Sequence, residues 1–170
     1  MRPGLISTAV ILMALSSSPS PAQTAPNMKV FGGAKIDEIY RVVLDRGALL
    51  LESINAVIKE KGIQEGQVQV TAGSLEECTF HYVASAAVKP KDVFKTVKGP
   101  YEILNAGGII ASGQPHIHMT IASGGKAAVG GHLENGCKVL YLAEVTIFKY
   151  AAAPLLRQPN ANGVMILDSK

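Results

Sequence analysis

Three histidines near the end of the chain have the residue type and the spacing of a metal site. His116 and His118 form a His-x-His pair, and His132 follows the dipeptide Gly130-Gly131. Imidazole is a good ligand for zinc and for similar transition metals. Because side chains alternate along a strand, a His-x-His pair in an extended segment places both rings on one face. The cluster therefore indicates a site for zinc or another divalent transition metal.

A turn between these histidines predicts how the third one reaches the first two. The tetrapeptide Ser-Gly-Gly-Lys at 123–126 is typical of a hairpin turn, and folding about it places His132 opposite His118. Glu134 then lies opposite His116, and a slip of one residue would remove it from this face. Cross-strand neighbours have Cβ atoms about 5 Å apart, and three imidazoles leave a fourth metal position open, as catalytic zinc sites do. The alternative is that these histidines are solvated polar side chains on a strand.

Other side chains are candidates for roles around such a metal. Glu102 and Glu144 are candidate general acids or bases, or partners that orient a ligand. Arg46 could clamp a carboxylate substrate, because its guanidinium suits bidentate anion recognition. The alternatives are solvated or salt-bridged strand glutamates and an arginine in a surface turn. His81, the fourth histidine, is interpreted as a partly exposed strand residue.

The chain of 170 residues divides into a leader, one domain and a tail. Residues 1–22 combine one arginine, a compact apolar run and a small-residue segment, which is typical of a cleaved signal peptide. Residues 23–34 are expected to be a flexible N-terminus, 35–150 a single domain and 151–170 a loosely packed tail. The apolar run of the leader is shorter than the roughly 20 residues that span a bilayer, so no stable membrane insertion is expected after cleavage.

Export and charge limit the partners of the domain. A cleaved leader predicts a periplasmic or secreted protein. The formal charge of the chain is +3, and losing Arg2 leaves +2, without the basic run of a nucleic-acid binder. Nucleic acid is therefore an unexpected partner. Cys78 and Cys137 could pair in an oxidising compartment or remain two buried thiols.

Periodicity predicts many strands around one firm helix. The helix is expected from Ala48 to Lys61, with Leu50, Ile54, Val57 and Ile58 on its buried face. The other segments are expected to be strands or short amphipathic pieces: 35–44, 67–72, 77–87, 91–97, 101–110, 116–122, 126–134 and 138–150. This pattern favours an α+β fold with a curved, largely antiparallel sheet.

Several of these segments, in this order, resemble the plants-and-prokaryotes-conserved (PPC) domain family. The matching segments are Leu44–Gly47, the helix that follows, Thr71–Leu75, Tyr101–Gly108, Pro115–His118, Gly130–Leu133 and Ala143–Val145. The resemblance implies an α+β fold similar to that of acetolactate decarboxylase, a homotrimer, and a metal site built from His116, His118 and His132. In plant members an AT-hook contacts DNA, and this chain has no such hook.

Two functions from different classes remain after these observations. One is an exported zinc-site protein, either an enzyme or not, that acts on or binds an unknown small molecule. The other is a trimeric binding or scaffold module without chemistry. The DNA-associated role that is nominal for the family is disfavoured by charge and by export.

Overall fold

The computed structural model describes residues 28–152 and 154–169, and the predicted signal peptide at 1–22 lies outside them. Residues 28–34 contain no helix or strand. The elements follow one another as β1 Lys35–Asp45, α1 Leu50–Glu60, β2 Glu65–Val83, β3 Asp92–Ala111, β4 Gln114–Ala122, β5 Val129–Leu133, β6 Lys138–Ala151, β7 Leu155–Pro159 and β8 Met165–Ser169. Within the described ranges no helix has the length and hydropathy to span a membrane.

Six strands form one antiparallel sheet in the order β1-β6-β2-β3-β4-β5. The end of β2 also pairs with β5, through Phe80 opposite Leu133 and His81 opposite His132. The strands β2, β3, β4 and β5 therefore close into a ring in which every neighbour is hydrogen-bonded. The predicted α+β fold with a curved, largely antiparallel sheet is confirmed.

The single described helix packs against one face of this sheet. Its residues Leu50, Ile54 and Ile58 are at most 3 % exposed and belong to the same buried cluster as Ile117 and Leu133 of the sheet. Their spacing of four residues places them on one side of the helix, as the sequence predicts. The hydrophobic core therefore lies between the helix and the sheet. Side chains on the opposite face of the sheet are available to form a functional site.

Two strands are longer than the sequence predicts. The segments expected at 67–72 and 77–87 form one strand, β2, and the pieces expected at 91–97 and 101–110 form one strand, β3. Gly73, with φ at +155°, allows β2 to shift its register against β6 without leaving the sheet. Glycine marks a bulge here and not a strand end, because paired neighbours supply the hydrogen bonds on both sides.

A disulfide bond joins Cys78 of β2 to Cys137, which lies between β5 and β6. Both half-cystines are fully buried. The strand pairings on the two sides of the disulfide involve different strands. On one side, Leu133 of β5 pairs with Phe80 of β2. On the other side, Lys138 of β6 pairs with Glu77 of β2. The disulfide therefore fixes the point where the chain passes from β5 to β6 along the same edge of β2.

The residues expected to form a loosely packed tail, 151–170, include two strands. Leu155–Pro159 and Met165–Ser169 form a two-stranded antiparallel hairpin. Its loop is built around Asn160, whose side-chain oxygen accepts hydrogen bonds from the backbone N–H groups of Asn162 and Val164. The Asn- and Pro-rich composition that suggested a loose segment is here the turn chemistry of a hairpin.

Candidate metal centre

The histidines of β4 face away from the hydrophobic core. In β4 the buried residues Ile117 and Met119 alternate with His116 and His118, which are partly or fully exposed. This alternation is the period-two pattern of a strand with one buried face. Both rings of the His-x-His pair therefore lie on one face of the strand, as the sequence predicts, and this face is the one turned away from the core.

Strand register aligns the histidines across neighbouring strands. His118 of β4 pairs with His132 of β5, and His132 in turn pairs with His81 of β2. On the other side, His118 pairs with Gly107 of β3, which carries no side chain. Directly opposed residues point to the same face, so the three imidazoles form a row across three strands.

The imidazole nitrogens of His116, His118 and His132 are close enough to one another to coordinate a single metal ion. The Nε2 atoms of His116 and His118 are 3.0 Å apart, and one nitrogen from each of His116, His118 and His132 lies within 4.8 Å of the others. Ring centroids of His116 and His132 are 4.7 Å apart. Nitrogens bound about 2.0–2.1 Å from a tetrahedral zinc ion would be about 3.3 Å from one another, which is close to the separation of the two Nε2 atoms on β4.

Burial keeps His132 available as a ligand. Partial burial lowers the pKa of His132, the nearby His81 lowers it further, and Glu134 opposes both effects. A histidine with a lowered pKa is neutral over a wider pH range, and only the neutral ring offers a lone pair to a metal. The lowered pKa of His132 therefore favours its neutral ring.

Glycines let the strands that carry the histidines approach closely. A Cβ atom on Gly131 would lie 2.1 Å from the carbonyl oxygen of His81, and one on Gly130 would lie 2.0 Å from that of Met119. Gly108 meets the carbonyl oxygen of His116 in the same way, at 1.8 Å. The dipeptide before His132 is therefore required by backbone contact on both sides of β5.

His81 and Glu134 belong to the same cluster. The His81 ring stacks on the His132 ring with centroids 4.6 Å apart, and its Nδ1 lies 2.6 Å from Oε1 of Glu134. The sequence places Glu134 opposite His116, whereas its backbone N–H donates to the Thr79 carbonyl oxygen, so its side chain reaches His81. The sequence does not predict that His81 joins this cluster, because β2 and β5 are distant in sequence. The alternation of His81 with the buried Phe80 was the available signal that His81 faces away from the core.

The three other predicted site residues lie apart from the histidines. Glu144 is exposed on β6 and pairs with Ala72, which is about 30 Å along β2 from His81 at roughly 3.3 Å per residue. Glu102 is exposed on β3 opposite Ala122, about 13 Å along β4 from His118 by the same measure.

Arg46 is exposed in the turn after β1. Its guanidinium carbon lies 5.8 Å from the centre of the Tyr141 ring, the geometry of a cation–π contact. Its positive charge also helps to lower the pKa of Glu76, although the hydrogen bond from Lys138 is the main cause. The described contact of Arg46 is therefore with Tyr141 of β6 and not with the histidine cluster.

An open depression of about 450 Å³ lies beside the histidines. His118 contributes to its wall, together with the polar side chains of Asn105 and Thr120. Backbone of Gly107 and Gly130 completes this part of the lining. The depression offers a small molecule both polar partners and direct access to one imidazole of the cluster.

Comparison with known proteins places this arrangement in a family. The model of the Plants and Prokaryotes Conserved (PCC) domain, also abbreviated PPC, matches residues 32–151. The chain is also 28 % identical over 123 residues to the bifunctional protein GlmU of a Synechococcus strain, which covers 72 % of this chain and 18 % of GlmU. The chain thus spans only a small part of the length of that relative.

Solved structures share the fold. A metal-containing protein from Archaeoglobus fulgidus superposes with a TM-score of 0.73 at 23 % identity, over 84 % of this chain and all of the other. A candidate DNA-binding protein from Bacteroides thetaiotaomicron gives 0.70 at 26 %, over 80 % and 96 %. A PPC protein from Pyrococcus horikoshii gives 0.68 at 22 %, over 84 % and 99 %. Since the family model covers most of the chain, including all four histidines, the chain belongs to the Plants and Prokaryotes Conserved domain family.

Proposed function

We propose that this chain is an exported metal-binding protein that holds one divalent transition metal, zinc in the first instance, through His116, His118 and His132. The observation that carries the proposal is the convergence of three imidazole nitrogens, from two paired strands, within 4.8 Å. Their donor chemistry fits zinc, since three neutral imidazoles form a common zinc ligand set. The fold shared with the metal-containing archaeal protein is consistent with this proposal, but the argument depends on the imidazoles.

The same geometry favours the binding of a small molecule next to the proposed metal. Bound zinc would act as a Lewis acid and would lower the pKa of water at its open position to about 7. The chain itself supplies the depression beside His118, where Asn105 and Thr120 can orient a carbonyl or carboxylate compound. Glu134, which is hydrogen-bonded to His81, is a carboxylate beside His132 of this ligand set. A metal-dependent enzyme acting on a small molecule is the activity we propose for this site.

Metal content tests the proposal directly. The chain is purified without a His tag or an affinity metal, passed through a column with a weak chelator, and analysed by mass spectrometry. We expect close to one zinc per chain. The variant His116→Ala/His118→Ala should lose it, because two of the three nitrogens are gone and affinity falls by about 100-fold or more.

Lys126→Ala is the matched control for that variant. Lys126 is exposed in the turn of the same hairpin and lies away from the imidazoles. The control should keep its zinc. A wild-type chain that takes up no zinc, even after excess zinc is added back, would contradict the proposed function.

Export is proposed together with the metal site. The buried Cys78–Cys137 disulfide supports it, because structural disulfides persist in oxidising compartments. Expression of the full chain in a Gram-negative host, followed by fractionation and N-terminal sequencing, should give a periplasmic protein that begins after Ala22. Recovery of uncleaved chain in the cytoplasm would contradict this part.

A trimeric scaffold is the second candidate function, and exposed apolar side chains favour it. Val43, Phe94, Leu104 and Tyr141 are each at least 59 % exposed. Exposed apolar side chains of this size can contribute to a protein interface. Sedimentation equilibrium should then give three times the monomer mass. A trimer without zinc would favour the scaffold, whereas retention on a polyanion column that weakens with salt would favour DNA.

A further inference from the structure

The His81–Glu134 pair creates a second set of possible ligands beside the first. One ligand atom from each of His81, His132 and Glu134 lies within 4.8 Å of the others. All three side chains are partly buried, and the side chains of His81 and Glu134 are 21 % and 29 % exposed. Two imidazoles and a carboxylate form a known type of zinc ligand set.

Strand geometry holds this second set in place. Glu134 is the first residue after β5, and its Oε1 lies 2.6 Å from Nδ1 of His81. Its backbone N–H donates to the Thr79 carbonyl oxygen at 3.1 Å, while His81 pairs with His132. Phe94 packs on the other side of the His81 ring, with centroids 5.1 Å apart. The His81 ring is therefore fixed between an aromatic ring and the neighbouring imidazole.

Both ligand sets include His132, so the two sets cannot be treated as independent metal sites. His116 and His118 lie on the β4 side of the His132 ring, and His81 lies on the β2 side. An ion bound by His116, His118 and His132 would hold the His132 ring on the β4 side, so that this ring would not bind a second ion with His81. The carboxylate makes the second set richer in oxygen, so it suits harder divalent ions better than the first set does.

We propose that the cluster offers a divalent metal two alternative positions that share His132, one formed with His116 and His118 and the other with His81 and Glu134. The inference rests on the proposed function, because it assumes that His132 is a metal ligand. When the ion lies on the β4 side, the Glu134 carboxylate remains hydrogen-bonded to His81. When it lies on the β2 side, the hydrogen bond between Nδ1 of His81 and Glu134 is replaced by bonds to the ion.

Titration with cobalt(II) alone tests the two positions, because its visible absorption reports coordination without any activity assay. The variants are compared by circular dichroism first, so that only folded chains are titrated. The wild-type chain should bind one equivalent. His116→Ala/His118→Ala should still bind one equivalent, about 100-fold more weakly and with a different spectrum. Adding either His81→Ala or Glu134→Gln to that variant should abolish the remaining signal.

The outcomes separate this inference from the proposed function. A wild-type chain that binds no cobalt contradicts both. If the wild type binds cobalt and the folded His116→Ala/His118→Ala variant binds none, only the second position is overturned, and the His81–Glu134 contact is a simple ion pair. Two equivalents in the wild type overturn the alternation, because both positions are then filled at once.

Discussion

Substitution of Gly131 by alanine is the sharpest test of how the fold positions the candidate site. The new Cβ would lie 2.1 Å from the carbonyl oxygen of His81, whereas contacts of this kind do not occur below 3.0 Å. The backbones of β5 and β2 must therefore separate by about 1 Å. Overpacking of this kind costs about 1–3 kcal/mol, and each ladder hydrogen bond lost costs about 1 kcal/mol more. We expect a total loss of about 2–4 kcal/mol, or about 10 °C in the unfolding midpoint.

The same substitution should weaken metal binding beyond its effect on stability. Gly131 precedes His132, the residue shared by both proposed ligand sets. Metal–ligand distances tolerate about 0.2 Å, so a movement of about 1 Å in β5 should lower zinc affinity by about 10–100-fold. Calorimetry of the metal-free chain and competition with a chromogenic chelator measure the two effects separately.

Gly124→Ala is the control for this experiment. Gly124 lies in the turn of the same hairpin, has no positive φ, and a Cβ built on it meets nothing within 4 Å. The control should therefore unfold and bind zinc as the wild type does. Wild-type stability and zinc affinity in Gly131→Ala would refute the reasoning, because close strand approach would then not determine the position of His132.

Three further substitutions test the fold. Removal of the disulfide in Cys78→Ala/Cys137→Ala should lower the free energy of unfolding by about 4 kcal/mol, since the bond closes a loop with a sequence separation of 59 residues; an unchanged urea midpoint would contradict this. Burial raises the pKa of Glu65 although the Leu155 N–H donates to it, so its stabilising contribution is complete below the unfolded pKa and is lost as pH rises. Glu65→Gln should therefore gain stability over wild type in thermal melts at pH 8 and show little difference at pH 4. Ile54→Ala should cost about 2–5 kcal/mol by chemical denaturation, because its side chain is 2 % exposed under the sheet, and a loss below 1 kcal/mol would argue against a packed helix.

Local patterns in the sequence predict the elements whose determinants are local. Helix α1 follows from the spacing of Leu50, Ile54 and Ile58, and the histidine hairpin follows from its turn and alternation. The pairing of His132 with His118 was predictable because only a short turn separates their strands. These features need no knowledge of distant partners.

Non-local pairing explains what the sequence did not predict. His81 joins the cluster only because β2 pairs with β5, and no short-range signal connects those strands. The same pairing turns Glu134 toward His81 and away from His116. The sequence predicts two strands, 67–72 and 77–87, where the structure has one, because a lone segment cannot show that neighbours on both sides continue the ladder.

The closure of β5 onto β2 also has a kinetic consequence. His116 and His118 come together as soon as β4 forms, but His132 and His81 meet only after the ring of strands has closed. Contacts between residues far apart in sequence form late, because loop-closure entropy opposes them. The proposed metal position that uses His81 would therefore form late in refolding, whereas the position formed by His116, His118 and His132 needs only the β4–β5 hairpin.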